Sequence, residues 1–161
     1  QTQGLINDLP IYQNVSSADM KKFIKGGKLD TNAEEAKAIE LCQKIQLKAK
    51  DISAPPSSLS GGNQQKVLLG KWMFTEPDIM ILDEPTRGID VGAKYEIYSI
   101  INALAKEGKS IVMISSELPE ILGMCDRIYI MNQGRFVGEL DREEATQEKI
   151  MTLILKQGAK Q

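Results

Sequence analysis

The pattern of apolar positions changes character about halfway along the chain. Up to about residue 75, apolar residues recur at helical spacing, and no segment reads as a convincing strand. Short unbroken apolar runs then appear at 79–82 and 110–115, as expected of strands buried on both faces. A helical stripe lies between them and closes at Gly108. Strand, helix and strand in this order predict a crossover in a parallel sheet.

Local signals place the remaining elements. Thr31–Glu34 has the form of a capping box, which predicts a helix with its apolar face at Ala38, Leu41, Cys42 and Ile45. Alternating segments on either side of Asn132-Gln133-Gly134 predict a hairpin, and Thr146 is a candidate cap of a last helix. Trp72 is expected in the core. We therefore predict an α/β chain with a helical part, 1–75, and a sheet-containing part, 76–161.

Composition narrows the classes of function. The net charge of −2 gives no reason to expect a nucleic-acid partner, and the absence of histidine excludes the common metal-ligand patterns. Cys42 and Cys125 lie far apart and suggest no disulfide framework. No apolar run approaches the roughly 20 residues that span a bilayer. Because the chain begins at Gln1, we expect it to be a fragment.

The stretch Ser58-Leu59-Ser60-Gly61-Gly62-Asn63-Gln64-Gln65-Lys66 enters a helical pattern directly from a loop. Glycines let backbone N–H groups approach a ligand, and a helix N-terminus carries roughly half a positive charge. The Ser60 hydroxyl adds one more donor for a phosphate oxygen. Taken alone, a Ser-Gly-Gly sequence is more often a flexible turn.

Two carboxylates follow the first predicted strand. Asp83 and Glu84 would stand at its carboxyl end, where open α/β sheets bind ligands. Asp83 is a candidate ligand of Mg²⁺, and Glu84 a candidate for orienting the water that attacks a γ-phosphate. Without further context, two solvated acids that end a strand are the more common explanation of such a pair.

Taken in order, these motifs resemble the ATP-binding-cassette (ABC) ATPases, and the resemblance covers essentially the whole chain. Residues 59–64 match the signature motif of that family, 79–83 its Walker B strand, Glu84 its catalytic glutamate and 88–90 its D-loop. The resemblance implies part of a P-loop NTPase fold, made of the helical subdomain and the later strands of a mainly parallel sheet. It is strongest to the second, C-terminal ATPase domain of bacterial simple-sugar importers, of the galactose/methyl-galactoside type, with ribose and xylose importers close behind.

The resemblance also implies ligands and partners. ATP with Mg²⁺ would be the cofactor, and Ser60, Gly61, Gly62, Asn63 and Asp90 would contact nucleotide held by the other ATPase cassette. Transmembrane permease subunits and a sugar-binding protein would complete the importer. The parent protein would lie peripherally on the cytoplasmic face of the bacterial membrane.

Two parts of the family pattern are missing or altered. A Walker A loop needs Gly, four residues and then Gly-Lys-Ser/Thr. The only Gly-Gly-Lys here, Gly26–Lys28, is followed by leucine and lacks the upstream glycine. Ser116 stands where the family usually has a histidine that senses the γ-phosphate. By this position Ser116 would also contact nucleotide, since its hydroxyl can donate a hydrogen bond to phosphate, although it carries no positive charge. We therefore expect the isolated fragment to be inactive, although the parent protein would be an ATPase.

Two alternatives remain open at this point. One is a regulatory half that binds nucleotide without hydrolysing it, which serine at 116 favours and Glu84 argues against. The other is an ATPase head of DNA repair or chromosome maintenance, but those heads carry long coiled coils, and no heptads run through this sequence. Because the sheet would be cut, we also expect an uncovered flank and self-association of the fragment.

Overall fold

The computed structural model describes residues 4–158, so residues 1–3 and 159–161, at the outer ends of the two predicted parts, lie outside it. The chain divides into two compact units. One contains the residues up to Met80 together with Pro85–Val112, and the other contains Ile81–Glu84 and the residues from Met113 onward. The functional division at residues 75 and 76 stays a prediction.

The first unit is mainly helical. Its elements are α1 (Ile11–Ser16), β1 (Ile24–Lys25), β2 (Lys28–Leu29), α2 (Thr31–Lys44), α3 (Gly61–Met73) and α4 (Val91–Lys106), with 3-10 turns at Met20–Phe23 and Pro56–Ser58. The packing of α1, α2 and α3 buries one apolar cluster, made of Ile11, Val15, Phe23, Ala38, Cys42, Val67 and Phe74. The apolar face expected on α2 is confirmed at Ala38, Cys42 and Ile45, which are all buried.

The start of α2 differs from the prediction. Asp30 is the N-cap, and its carboxylate accepts a hydrogen bond from the Ala33 backbone N–H at 3.1 Å. Glu34 does not reach back to the cap. Its side chain is buried, and it accepts a hydrogen bond from the Ser16 hydroxyl at 2.5 Å. The capping-box prediction is therefore wrong, because Asp30, one residue before Thr31, is the N-cap, and the Glu34 side chain is buried in the interior instead.

A small hairpin was also missed. Strands β1 and β2 pair antiparallel, with Lys25 opposite Lys28. Gly26 and Gly27 form the turn between them with φ of 57° and 77°, the left-handed values that a two-residue hairpin turn requires. The Gly-Gly-Lys sequence here is a hairpin turn, in agreement with its rejection as a phosphate loop.

Trp72 is not a core residue. Half of it is exposed, at 51%, and the Lys71 ammonium lies 5.8 Å from the centre of its ring. Leu69 and Met73, on the same helix, take the buried positions instead. Trp72 is thus a surface residue near the C-terminal end of α3.

Strands β3 (Ile79–Asp83) and β4 (Ser110–Ile114) pair in a two-stranded sheet. The Ser110 N–H donates to the Asp78 carbonyl at 2.9 Å, and the Glu84 N–H donates to the Ile114 carbonyl at 2.8 Å. Because these bonds run in the same order along both strands, the pair is parallel, as predicted. Burial on both faces is not observed.

One face of this strand pair is open. Met80 and Leu82 are buried, while Ile79, Ile81, Val112 and Ile114 are each at least half exposed. The runs are apolar throughout because parallel strands are ordinarily covered on both faces, and only one face is covered within the described residues.

The second unit continues with α5 (Leu118–Met124), β5 (Arg127–Asn132), β6 (Arg135–Asp141) and α6 (Gln147–Gly158). Strands β5 and β6 pair antiparallel with a two-residue turn at Gln133-Gly134, which confirms the predicted hairpin. One face of the hairpin buries Ile128 and Ile130 against Ile150 of α6. The Thr146 hydroxyl accepts from the Lys149 N–H at 3.2 Å, so the predicted cap of α6 is also confirmed.

Both cysteines are free thiols. Cys42 is buried in the core of the first unit, and this burial raises its pKa to about 11. Cys125 is half-buried, and its pKa is raised by burial and by the nearby Asp126 and Glu120. None of the helices between residues 4 and 158 combines the length and the apolar character needed to cross a bilayer.

Candidate functional site

The N-terminus of α3 is where the predicted signature residues meet. Ser60 is the N-cap, is exposed, and makes no capping hydrogen bond with its side chain to the helix it precedes. The first backbone N–H groups of a helix have no partner within the helix itself, and here no side chain of the cap residue takes them. This end of α3 therefore offers donors and a positive partial charge to an anion.

Asn63 orders the loop at this end of α3. Its side-chain amide donates to the Ser60 hydroxyl oxygen at 3.0 Å, and its Oδ1 accepts the Lys48 backbone N–H at 3.0 Å. The Ser60 hydroxyl keeps its own proton for another acceptor, because a hydroxyl is donor and acceptor at once. The predicted residues Ser60 and Asn63 thus form one hydrogen-bonded pair, anchored to the loop that follows α2.

Gly62 lies against the first turn of α4. It is buried, and a Cβ atom built on it would stand 2.4 Å from the Ala93 Cβ, well inside contact distance. Gly61 is exposed, and its Cβ would meet only the Ile89 side chain, at 3.9 Å. The two glycines therefore have different structural roles: Gly62 permits close packing against α4, and Gly61 leaves the helix end open.

Asp90 begins α4. Its Oδ1 accepts the Ala93 N–H at 3.0 Å, so it is the N-cap of the helix that Gly62 packs against. The predicted D-loop and the predicted signature motif are thus brought together within the first unit. The structure gives Asp90 a capping role, while its contact with nucleotide stays a prediction.

A pair of lysines and a glutamate, which the sequence analysis did not single out, lie beside these motifs. The Glu96 carboxylate of α4 accepts from Lys48 at 2.6 Å and pairs with Lys66 of α3 at 2.7 Å. Hydrogen bonds from Lys48 and then from Lys66 hold the pKa of Glu96 at about 2. Lys66 is 1% exposed and also donates to the Gln46 carbonyl at 2.8 Å. No local sequence signal relates residues 48 and 96, because the ion pair joins separate elements.

In the second unit, Glu84 and Ser116 lie together. Glu84 has φ of 47°, uncommon for a residue with a side chain, directly after β3. Its Oε1 accepts the Ser116 backbone N–H at 3.1 Å. The predicted catalytic glutamate and the residue at the switch position therefore meet at the carboxyl ends of two parallel strands, and the contact uses the Ser116 backbone rather than its hydroxyl.

Asp83 fits a magnesium ligand of the kind that works with phosphate and water. It is exposed at the end of β3, and among the described residues no hydrogen bond or ion pair engages its carboxylate. No group of three or more His, Cys, Asp or Glu within residues 4–158 is arranged to hold a metal. Mg²⁺ bound with nucleotide typically takes one or two carboxylates and keeps several waters, so a single free carboxylate suffices.

Comparison with known proteins agrees with this reading of the fold. A family model described as "ABC transporter" matches residues 1–87, more than half of the chain. The dimeric structure of MJ0796, a bacterial ABC transporter cassette, superimposes with a TM-score of 0.74 at 23% identity, covering 88% of this chain and 60% of that one. This likeness confirms the predicted α/β cassette fold.

Curated relatives are more similar in sequence. The L-arabinose transport ATP-binding protein AraG of Geobacillus stearothermophilus is 56% identical over 153 residues, 95% of this chain and 30% of that protein. The xylose import ATP-binding protein XylG of Geobacillus kaustophilus is 56% identical over 149 residues, 92% of this chain and 30% of that protein. The chain belongs to the ABC transporter family. It spans 30% of the length of these relatives.

Proposed function

We propose that this chain is part of the ATP-binding subunit of a bacterial importer that couples ATP binding and hydrolysis to monosaccharide uptake. The observation that carries the proposal is the open N-terminus of α3, where Ser60 and Asn63 are paired and Gly62 lies on α4. Family membership and relatives named for arabinose and xylose support it.

Each predicted site residue takes a role in this proposal. Ser60, Gly61, Gly62 and Asn63 bind the γ-phosphate of nucleotide held by the other cassette, through the open helix end and the Ser60 hydroxyl. Asp90 fixes the neighbouring helix. Asp83 holds Mg²⁺, which neutralises charge on the phosphates when it is bound.

Glu84 orients the attacking water in the proposed reaction. Its carboxylate already accepts one hydrogen bond, from the Ser116 N–H, which fixes one oxygen and leaves the other for water. Positioning and electrostatics supply nearly all catalysis of phosphoryl transfer. A backbone donor at Ser116 thus preserves the orientation of Glu84 without the histidine that the family usually carries.

The test is Glu84→Gln in the full-length subunit, assembled with its permease. Because the amide keeps the size and the Ser116 contact but cannot accept a proton from water, we expect ATP hydrolysis to fall by about 100-fold or more, with nucleotide binding retained. Glu107→Gln, a change at an exposed residue beyond the last turn of α4, is the matched control. Unchanged hydrolysis in Glu84→Gln would contradict the proposed role.

A regulatory half-site is the second candidate, and serine at position 116 favours it. In that case Gly61→Asp, at the exposed glycine, would weaken transport, because a carboxylate at the helix N-terminus repels the γ-phosphate, while Glu84→Gln would leave hydrolysis unchanged. The pair of variants therefore separates a hydrolysing cassette from a regulatory one. Transport at the unmutated rate in Gly61→Asp would contradict both candidates.

The sugar and the location of the parent protein follow from the same proposal. The motif resemblance favours galactose or methyl-galactoside, whereas the two relatives described above are named for pentoses. Uptake of labelled galactose, ribose, xylose and arabinose by cells that lack the full-length subunit would decide between these sugars. We place the subunit on the cytoplasmic face of the membrane, bound to permease subunits and served by a sugar-binding protein; fractionation with the permease tests this.

A further inference from the structure

The Glu96 carboxylate is a junction between three segments of the first unit. One oxygen accepts from Lys48, in the loop after α2, and the other pairs with Lys66 of α3. Glu96 itself lies in the second turn of α4, the helix that Asp90 caps. Since each oxygen takes one lysine, the carboxylate connects the loop and α3 to α4 at the same time.

The loop arm of this junction leads directly to the predicted phosphate-binding groups. The Lys48 backbone N–H donates to Asn63 Oδ1, and the Asn63 amide donates to the Ser60 hydroxyl oxygen, both at 3.0 Å. A continuous chain of contacts therefore runs from Glu96 through Lys48 to Asn63 and Ser60. Movement of Lys48 would alter the direction in which Asn63 holds the hydroxyl.

The second arm fixes α3 itself. Lys66 is buried, and a buried ammonium needs its charge compensated and its donors used. Glu96 and the Gln46 carbonyl meet that need. Lys66 lies one turn beyond Asn63, on the helix that carries the predicted signature. The ion pair with Glu96 therefore holds this helix in position, because the buried Lys66 ammonium cannot easily reach another partner.

We propose that Glu96 is a positioning residue, which holds Ser60 and Asn63 in place for phosphate by binding Lys48 on one side and Lys66 on the other. The inference deepens the proposed function and rests on it for the identity of the phosphate ligand. It assigns Lys48 a role of the same kind, through its side chain and its backbone N–H.

Lys48→Met is the informative variant. Its side chain is 71% exposed, so the change removes the loop arm and leaves the buried Lys66–Glu96 pair intact. Glu96→Gln would strip the buried lysine of its counter-charge and would confuse positioning with folding. Lys44→Met is the matched control, because Lys44 forms a similar exposed pair with Glu107 at 2.8 Å, at the other end of α4.

The first measurement is hydrogen exchange at the Lys48 backbone amide and in residues 60–63 of the full-length subunit without nucleotide. We expect exchange about two- to fivefold faster in Lys48→Met and no change in Lys44→Met, from the strength usual for an exposed ion pair. Equal exchange in the two variants would overturn the inference, whether or not the protein hydrolyses ATP.

The second measurement is ATP hydrolysis as a function of ATP concentration. We expect Lys48→Met to raise the half-saturating ATP concentration by about two- to fivefold, with an unchanged maximal rate and with a melting temperature equal to that of Lys44→Met. If the half-saturating ATP concentration rose equally in Lys48→Met and Lys44→Met, the role of Lys48 in phosphate binding would be overturned. If the unmutated subunit hydrolyses no ATP but exchange responds as expected, the proposed function fails while the positioning of Ser60 and Asn63 by Glu96 stands.

Discussion

Gly61 and Gly62 are adjacent glycines in the first turn of one helix, and we expect the same substitution to act in opposite directions on them. Neither has a positive φ, so alanine is compatible with the backbone at both positions. Replacing glycine with alanine in a helix favours the folded state by about 0.5–1 kcal/mol. Since this gain is similar at both sites, the difference in unfolding free energy between the two variants reports only the contacts that each new Cβ makes.

At Gly61 the new Cβ makes an ordinary contact, 3.9 Å from Ile89, so Gly61→Ala should be neutral or stabilising. At Gly62 it would stand 2.4 Å from the Ala93 Cβ, an atom fixed to the backbone of α4 that no rotamer change can move. Overpacking of this kind costs about 1–3 kcal/mol. We therefore expect Gly62→Ala to be less stable than Gly61→Ala by about 1–3 kcal/mol.

Urea unfolding followed by the fluorescence of Trp72, the only tryptophan, measures this difference on the same helix. Ala93→Gly should cost less stability in the Gly62→Ala background than in the unmutated protein, because there it also removes the atom at 2.4 Å and leaves the Ala93 Cα at 3.8 Å. Equal stability of Gly61→Ala and Gly62→Ala would refute the close packing of α3 on α4. Strict additivity of the Gly62 and Ala93 changes would refute it independently.

Three further outcomes are expected of the 161-residue chain alone. Purified chain should hydrolyse no ATP above the buffer level, because no Walker A loop is present in its sequence; hydrolysis that Glu84→Ala abolishes would contradict this. Light scattering over a concentration series should show self-association through the open apolar face of β3 and β4, and Ile81→Ser should reduce this self-association. A strictly monomeric chain would contradict the prediction. The pKa of Glu96 is lowered from 4.5 to about 2, so the stabilisation from its ionised form is present above pH 4.5 and is lost as the pH falls towards 2. The difference in unfolding free energy between the unmutated protein and Glu96→Gln should therefore shrink between pH 4.5 and 2 and stay constant above pH 4.5.

Elements defined by local chemistry were predictable from the sequence. The β5–β6 hairpin follows from alternation around a turn with glycine, the cap of α6 from Thr146, and the end of α4 from Gly108, whose φ of 88° few other residues adopt. The signature, Walker B and D-loop residues were identified by their order, and the structure groups Ser60 with Asn63 and Glu84 with Ser116. Their roles in nucleotide binding and hydrolysis remain proposals.

What could not be predicted depends on contacts between distant residues. Thr31 and Asp30 are both good caps, and only the fold shows that Asp30 takes the position and that Glu34 turns inward to Ser16. Trp72 has the spacing of a core residue, yet Leu69 and Met73 of the same helix are buried while half of Trp72 is exposed. The charge of Lys66 suggests a surface residue, and its burial depends on Glu96, thirty positions away.

The two thiols and the absence of histidine limit how the chain responds to protons near neutral pH. Histidine is the only side chain that ordinarily changes charge between pH 5 and 8, and the sequence has none. A cysteine of lowered pKa would be the usual substitute, but burial moves both thiols the other way, Cys42 to about 11. Neither histidine nor a cysteine of lowered pKa is therefore present in this sequence to act as a proton-linked switch in that range.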